Sequence, residues 1–259
     1  METFDTSMGT ARVKTDATFG FLKALGNRQG PHALACEYVG TSLAKLFGLP
    51  VADFAIVKLT PDLCYDLPRG VRTQPGPAFV SREVAGGTWD ASPDEIQNLM
   101  NPKDVTRLVV FDNWVRNRDR HPPDLATRKP NYANVFLAKT DKPLRRKLYA
   151  IDHTHCFDNR DELTKRLADI DNVRDDGVYG LFPHFRPYID RTVLAWCGAV
   201  LRDLNPDAVR EIVAAVPAAW DVPGDAKTAL VDLIVRRAAY LADRIDGGWG
   251  RDFWAPGTE

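Results

Sequence analysis

The sequence predicts an α+β chain of two lobes, a small β-rich N-terminal lobe with one main helix and a larger, mainly helical C-terminal lobe. Three observations carry this expectation. Short apolar and alternating stretches broken by Gly and Pro crowd the chain before about residue 85. Only one long stretch in that part, His32 to Gly48, has helical periodicity. After Asp161 nearly every apolar pattern is helical. With 259 residues and no internal repeat, the expected organisation is a single domain, 1–259, divided into lobes 1–85 and 86–259. A cleft between two such lobes is a favoured place for a ligand.

Taken in order, "ARVKT", "DAT" and "FGFLKAL" predict a β-hairpin with Lys23 on its second strand. "GNRQGP" follows as a loop, its backbone N–H groups a candidate cradle for phosphate. The first helix carries Leu34, Tyr38, Val39, Leu43, Leu46 and Phe47 at helical spacing and stops at Gly48. "PVADFAIVKL" and "PAFVSREV" predict strands separated by the Pro/Gly-rich "PRGVRTQPGP". "SPDEIQNLM" and "DVTRLVVFDNWVRN" predict helices, "ANVFLA" and "KLYAIDH" short strands. "RTVLAWCGAVLRDL", "PDAVREIVAAV" and "AKTALVDLIVRRAAYLADRI" then predict three further helices.

Composition narrows the function. Hydrophobic residues make up 44% and charged residues 27%, as in an ordinary globular protein. The net charge of −1 offers no global attraction to nucleic acid or anionic lipid, so neither is an expected partner. "METFDTSMGT" lacks the basic and apolar regions of a signal peptide, and no apolar run reaches membrane-spanning length. Cys36, Cys64, Cys156 and Cys197 are far apart with no Cys-x-x-Cys pair, which argues against zinc or a disulfide framework and for the cytoplasm.

The densest polar stretch is Val115 to Asp124, "VRNRDRHPPD", after a strongly apolar run. Taken singly, its parts are ordinary: charge runs usually face water, and Asp119 is a helix-end charge beside arginines. Lys23 alone is a snorkelling strand lysine, and Glu37 alone a solvated helix residue. As a set they change meaning. A strand lysine with a helix glutamate 14 residues later is what kinases use to hold nucleotide phosphates. Asp119, on a loop, is placed to accept a proton from a hydroxyl. Asp152 ends the run "LYAI", which delivers a carboxylate to a sheet edge, where it suits Mg²⁺. Asn134 opens the preceding strand and offers an amide oxygen beside it if the two strands pair.

"FLKALGNRQGPHALACEYVGTSLAKLFGLPV", "DNWVRNRDRH" and "YAIDHTHCF" resemble the HipA-like kinases, especially short stand-alone members, and "DRH" and "IDH" resemble elements of phosphoinositide kinases. The resemblance is good from about residue 10 to 160 and extends weakly to "YGLFPHF" and the last long helix. It implies a bilobal protein-kinase-like fold and an ATP- and Mg²⁺-dependent transfer of the γ-phosphoryl group to a hydroxyl, most readily Ser or Thr of an unidentified protein. It implies that Lys23 contacts ATP phosphates and Glu37 pairs with it, that Asp119 is catalytic with His121 ordering its loop, and that Asn134 and Asp152 hold the metal. The strand "FVSREV", with Ser81, Arg82 and Glu83 at its centre, would meet adenine through its backbone.

Three departures stand out. The metal asparagine of protein kinases lies five residues after the catalytic aspartate; that position is Asp124 here, and "PPDLATRKP" reads as an insertion before Asn134. No Gly-x-Gly-x-x-Gly precedes Lys23, only the widely separated Gly9 and Gly20. Asp-His-Thr stands in place of Asp-Phe-Gly. A pseudokinase, keeping the fold as a nucleotide-binding or interaction module, is therefore one alternative. A metal-dependent hydrolase built on His153-x-His155 with Asp112, Asp119 and His121 is the other, although the chain lacks the alternating strands and helices of a (β/α)₈ barrel.

Overall fold

The computed structural model describes residues 2–6, 10–14, 18–68, 70–157 and 162–250. The N-terminal alternation produces β1 (Glu2–Thr6), β2 (Ala11–Lys14) and β3 (Phe19–Lys23). Gly9 lies outside the described residues. β4 (Phe54–Leu59) and β7 (Gly76–Arg82) complete an antiparallel five-stranded sheet in the order β1-β2-β3-β7-β4. A small hairpin, β5 (Asp66–Leu67) and β6 (Val71–Arg72), forms in the connection between β4 and β7, its second strand inside the Pro/Gly-rich stretch "PRGVRTQPGP". Ala11, Val13, Leu22, Leu59 and Ala78 are buried together with Tyr65 and Leu67 from that connection. Because strand side chains alternate, burying Leu22 on this face turns Phe21 and Lys23 to the other.

That other face meets α1 (Pro31–Leu46), which begins with Pro at its first turn after Gly30. The helix is buried on most of its circumference: Leu34, Val39, Leu43 and Phe47 join one core with Phe79 of β7 and the helices that follow. The two lobes therefore share a continuous core, and α1 is the piece they share. Trp220 reinforces the join by donating its indole N–H to the Pro77 carbonyl (2.9 Å).

The larger lobe starts with β8 (Gly86–Thr88), which pairs with β9 (Val135–Lys139). β9 pairs with β10 (Arg146–Ala150) in register, giving the order β10-β9-β8. β8 is absent from the sequence reading because Gly-Gly has poor strand propensity; here Gly86 is used for close approach, as an added Cβ would lie 2.5 Å from the Leu137 carbonyl oxygen. The helices are α2 (Pro93–Gln97), α3 (Lys103–Val115), α4 (Ile170–Val173), α5 (Arg191–Arg202), α6 (Pro206–Ala214) and α7 (Gly224–Asp246). Trp114 of α3 donates to the Ile234 carbonyl of α7 (2.9 Å). No described helix is long and apolar enough to cross a membrane.

Candidate active site

α3 ends two residues earlier than its apolar pattern suggests. Arg116 adopts a left-handed conformation (φ 52°), and the Asn117 N–H reaches back to the Asp112 carbonyl (2.9 Å), the six-to-one bond of a Schellman stop. A non-glycine residue there is strained by roughly 1–2 kcal/mol. The Arg116 guanidinium offsets this through Asp175 and Asn172, each 2.8 Å away. The stop releases Asn117 to Asp119 as a loop.

Beneath the loop lies a buried ion pair, Asp112 with Arg120, both side chains wholly inaccessible. Arg120 also donates to the carbonyls of Asn134 (2.9 Å) and Ile151 (2.7 Å), so one side chain fixes the starts of both the Asn134 and Asp152 segments. Burial raises the Asp112 carboxyl to about 6, with Arg120 and Asn117 opposing that rise. Gly180 closes the other side: its φ is 74°, a Cβ would fall 2.2 Å from Asp112 Oδ2, and its N–H binds the His121 carbonyl (2.9 Å).

Lys23 ends β3 opposite Phe79. Its ammonium donates to Glu37 Oε2 (2.6 Å), Asp152 Oδ1 (3.1 Å) and Thr154 Oγ1 (2.8 Å). The Thr154 hydroxyl lies 2.8 Å from both Glu37 Oε2 and Asp152 Oδ1, and the His153 N–H also donates to Glu37 (3.2 Å). Burial works against the Lys23 charge, yet the Asp152 and Glu37 carboxylates overcome it and raise its pKa. Burial likewise disfavours the Asp152 charge, and Lys23 with the Thr154 hydroxyl overcomes it, holding the carboxyl well below the usual range. Glu37 is thus no solvated helix residue. It is buried because residues 152–154 fold over α1 at Gly40, where an added Cβ would meet His153 Cβ at 2.4 Å.

A cavity of about 530 Å³ opens from this cluster. Phe21, Lys23, Glu37, Thr10, Asn134 and Asp152 line it. Its apolar part includes Ala52, Phe79, Val84, Phe136 and Ile151. Ser81 and Arg82 line it as well. Glu83 does not appear in that lining: its N–H goes to the Phe19 carbonyl (2.9 Å) and its carboxylate to Arg12 (3.0 and 2.9 Å), while Val84 takes the place at the edge. The loop "GNRQG" lies outside the lining too; Asn27 closes it on itself, donating to Ala24 and accepting from Gln29.

Asp119 is buried, and each of its oxygens is engaged. Oδ2 accepts from Asn134 Nδ2 (2.7 Å) and, more weakly, Asn131 Nδ2 (3.5 Å); Oδ1 is paired with Arg128 from the insertion. A carboxylate only accepts, so the bond fixes Asn134 with its NH₂ toward Asp119 and its carbonyl oxygen free for another role. Asn134 and Asp152 therefore offer two oxygen donors in one cavity, a set that fits a hard cation completed by phosphate and water. The described residues hold no cluster of three or more His, Cys, Asp and Glu placed for a metal. His153 is wholly buried and outside the cavity lining, its ring against Thr41 (3.0 Å) and Phe111, and burial, with Arg120 adding, depresses its pKa to about 3. It is a core residue, which removes the hydrolase alternative's central ligand. His121 packs edge-on against Phe182 (5.2 Å). Burial lowers its pKa.

Sequence reasoning passed over Thr154, Arg128 and Arg120. The signal for Thr154 was the substitution within Asp-His-Thr; Arg120 and Arg128 carried none beyond their charge.

A five-stranded sheet with a strand lysine paired to a helix glutamate in one cavity, and a loop aspartate that lies outside the lining but is bonded to the cavity's Asn134, is the arrangement of the kinase class. The family model for HipA-like kinases matches residues 13–255, and the chain belongs to that family. No curated protein matches the sequence. Among solved structures, the chain is similar to the Helicobacter pylori proinflammatory kinase CtkA, with 10% identity, TM-score 0.60, and coverage of 95% of this chain and 93% of that one. A structure of the golgi casein kinase aligns at 11% identity and TM-score 0.44, over 99% of this chain and 72% of that one.

Proposed function

We propose that the chain is an ATP- and Mg²⁺-dependent kinase that transfers the γ-phosphoryl group to a hydroxyl, that of Ser or Thr in a protein. The observation that carries this reading is the convergence of Lys23, Glu37 and Asp152 in a cavity whose remaining lining is mainly apolar. In this reading lobe 1–85 and lobe 86–259 enclose ATP, with adenine against the apolar lining and the backbone near Ser81 to Val84. Lys23 faces the phosphates, and Asp152 with the Asn134 carbonyl holds the cation. Bound Mg²⁺ would neutralise phosphate charge and fix the phosphate geometry. Asp119 orients the acceptor hydroxyl and takes its proton as the new O–P bond forms and the bond from γ-phosphorus to the bridging oxygen breaks, releasing ADP. The four cysteines are free thiols, which agrees with work in the cytoplasm, where ATP is abundant.

The test is incubation of purified chain with γ-labelled ATP and Mg²⁺, with or without EDTA, against Ser/Thr peptides, small hydroxyl compounds and host lysate. Mg²⁺-dependent label in a polypeptide, released as phosphoserine or phosphothreonine, is the expected result. Tight MgATP binding with no label in any acceptor would instead assign a nucleotide-binding module.

A further inference from the structure

The insertion between His121 and Asn134 is the part of the catalytic loop that the reaction above does not explain. Its two ends are anchored. Gly180 binds the His121 carbonyl, and the Asn131 N–H donates to the Arg120 carbonyl (2.9 Å). Its middle is an exposed turn in which Asp124 accepts from the Ala126 N–H and the Thr127 hydroxyl donates to the Asp124 carbonyl, each at 2.9 Å. From this turn Arg128 reaches inward and pairs with Asp119 Oδ1. The partners differ in exposure: the Arg128 side chain is 36% accessible, that of Asp119 only 11%.

A hydroxyl delivering its proton to Asp119 must come within about 2.6–3.2 Å of a carboxylate oxygen. Oδ2 already accepts from both Asn134 and Asn131, so the acceptor approaches at Oδ1, where the guanidinium already stands. Arg128 has to turn aside or be held by the incoming molecule. A guanidinium leaves one carboxylate most readily for another anion, because charge-assisted pairs are roughly twice as strong as neutral hydrogen bonds. Resting on the kinase reading, we propose that Arg128 is a specificity-determining residue on the acceptor side, selecting a Ser or Thr flanked by an anionic group. That group takes the guanidinium and frees Oδ1. A carboxylate of Asp or Glu and a phosphate on a neighbouring residue share this chemistry.

Three fluorescein-labelled serine peptides that differ only in flanking residues, Glu, Gln or phosphoserine, would be titrated against the MgADP-bound full chain and followed by anisotropy. The Glu or phosphoserine peptide is expected to bind at least about tenfold more tightly than the Gln peptide, and whichever of the two binds more tightly names the anion. Arg128→Gln is expected to bring all three to the Gln value, and Arg128→Lys to keep part of the preference. Equal binding of all three to the wild type, or a preference that survives Arg128→Gln, overturns the proposal. Failure of the underlying kinase reading would show separately, as transfer unaffected by Asp119→Ala or as no binding of MgADP.

Discussion

The two aspartates of the site are held in opposite ways. Asp152 sits two residues beyond β10 and is fixed by Lys23, Thr154 and, through them, Glu37. Every member of that cluster belongs to a strand, a helix or the segment packed on α1. Asp119 sits on a loop; one oxygen is held by buried Asn134, and the other by Arg128 on an exposed turn. On the proposed reading, the nucleotide side of the cavity is therefore built by the core and preformed, whereas the acceptor side is completed by a side chain that solvent reaches. A kinase gains from this division, since the nucleotide is constant and the acceptor must enter and leave.

The largest effects should come from removing either aspartate. Asp119→Ala is expected to cost about 10²–10⁴ in turnover as loss of a general base, with MgATP affinity little changed. Asp152→Ala is expected to abolish Mg²⁺-dependent ATP binding while the fold persists, because Lys23 keeps its bond to Glu37. Nucleotide titrations with and without Mg²⁺ separate the two losses, and wild-type turnover in both variants would break the site assignment.

Next in size is the frame beneath the loop. Asp112→Ala leaves Arg120 as an uncompensated buried charge and is expected to cost about 3–5 kcal/mol in chemical denaturation. Activity should fall with it, since Arg120 fixes both the Asn134 and Asp152 segments. Thr154 tests the preformed cluster more gently. Thr154→Val removes the hydroxyl bonded by Lys23 and is expected to cost about 1–3 kcal/mol of stability and to raise the Kd for MgATP, while Thr154→Ser restores both.

The most gradual effect is a pH dependence. An unfolded histidine titrates near 6.5, whereas folded His153 is depressed to about 3. Below pH 6.5 the unfolded chain therefore takes a proton that the native state refuses, and stability falls as pH drops, by up to about 1.4 kcal/mol per pH unit. The loss levels off near the folded pKa of about 3. His153→Gln should flatten the slope of unfolding free energy between pH 6.5 and 4.5 relative to the wild type. An identical slope would show that this ring is not held neutral by the core.

The two-lobed α+β class and the order of the main helices and strands were legible in local patterns, and the family in the resemblance of a few motif stretches. β8 was not, because glycine encodes close approach to β9 with no propensity signal of its own. The early end of α3 was not, because Arg116 depends on Asp175 and Asn172, far along the chain, to hold a left-handed backbone. Glu37 looked like a solvated residue because what covers it arrives 116 and 117 residues later.

By itself the sequence determined which residue types exist at the ends of which elements: a lysine on a strand, a glutamate on a helix, an aspartate after a helix and another after a strand. Periodicity and turn chemistry act over a few residues, so a single chain displays them. Tertiary structure alone decided that Lys23 meets an aspartate 129 positions away, that His153 turns into the core, and that Arg128 closes on Asp119. Those outcomes depend on which segments share a low-dielectric interior, where each charge must find a partner, and no local pattern specifies that partner.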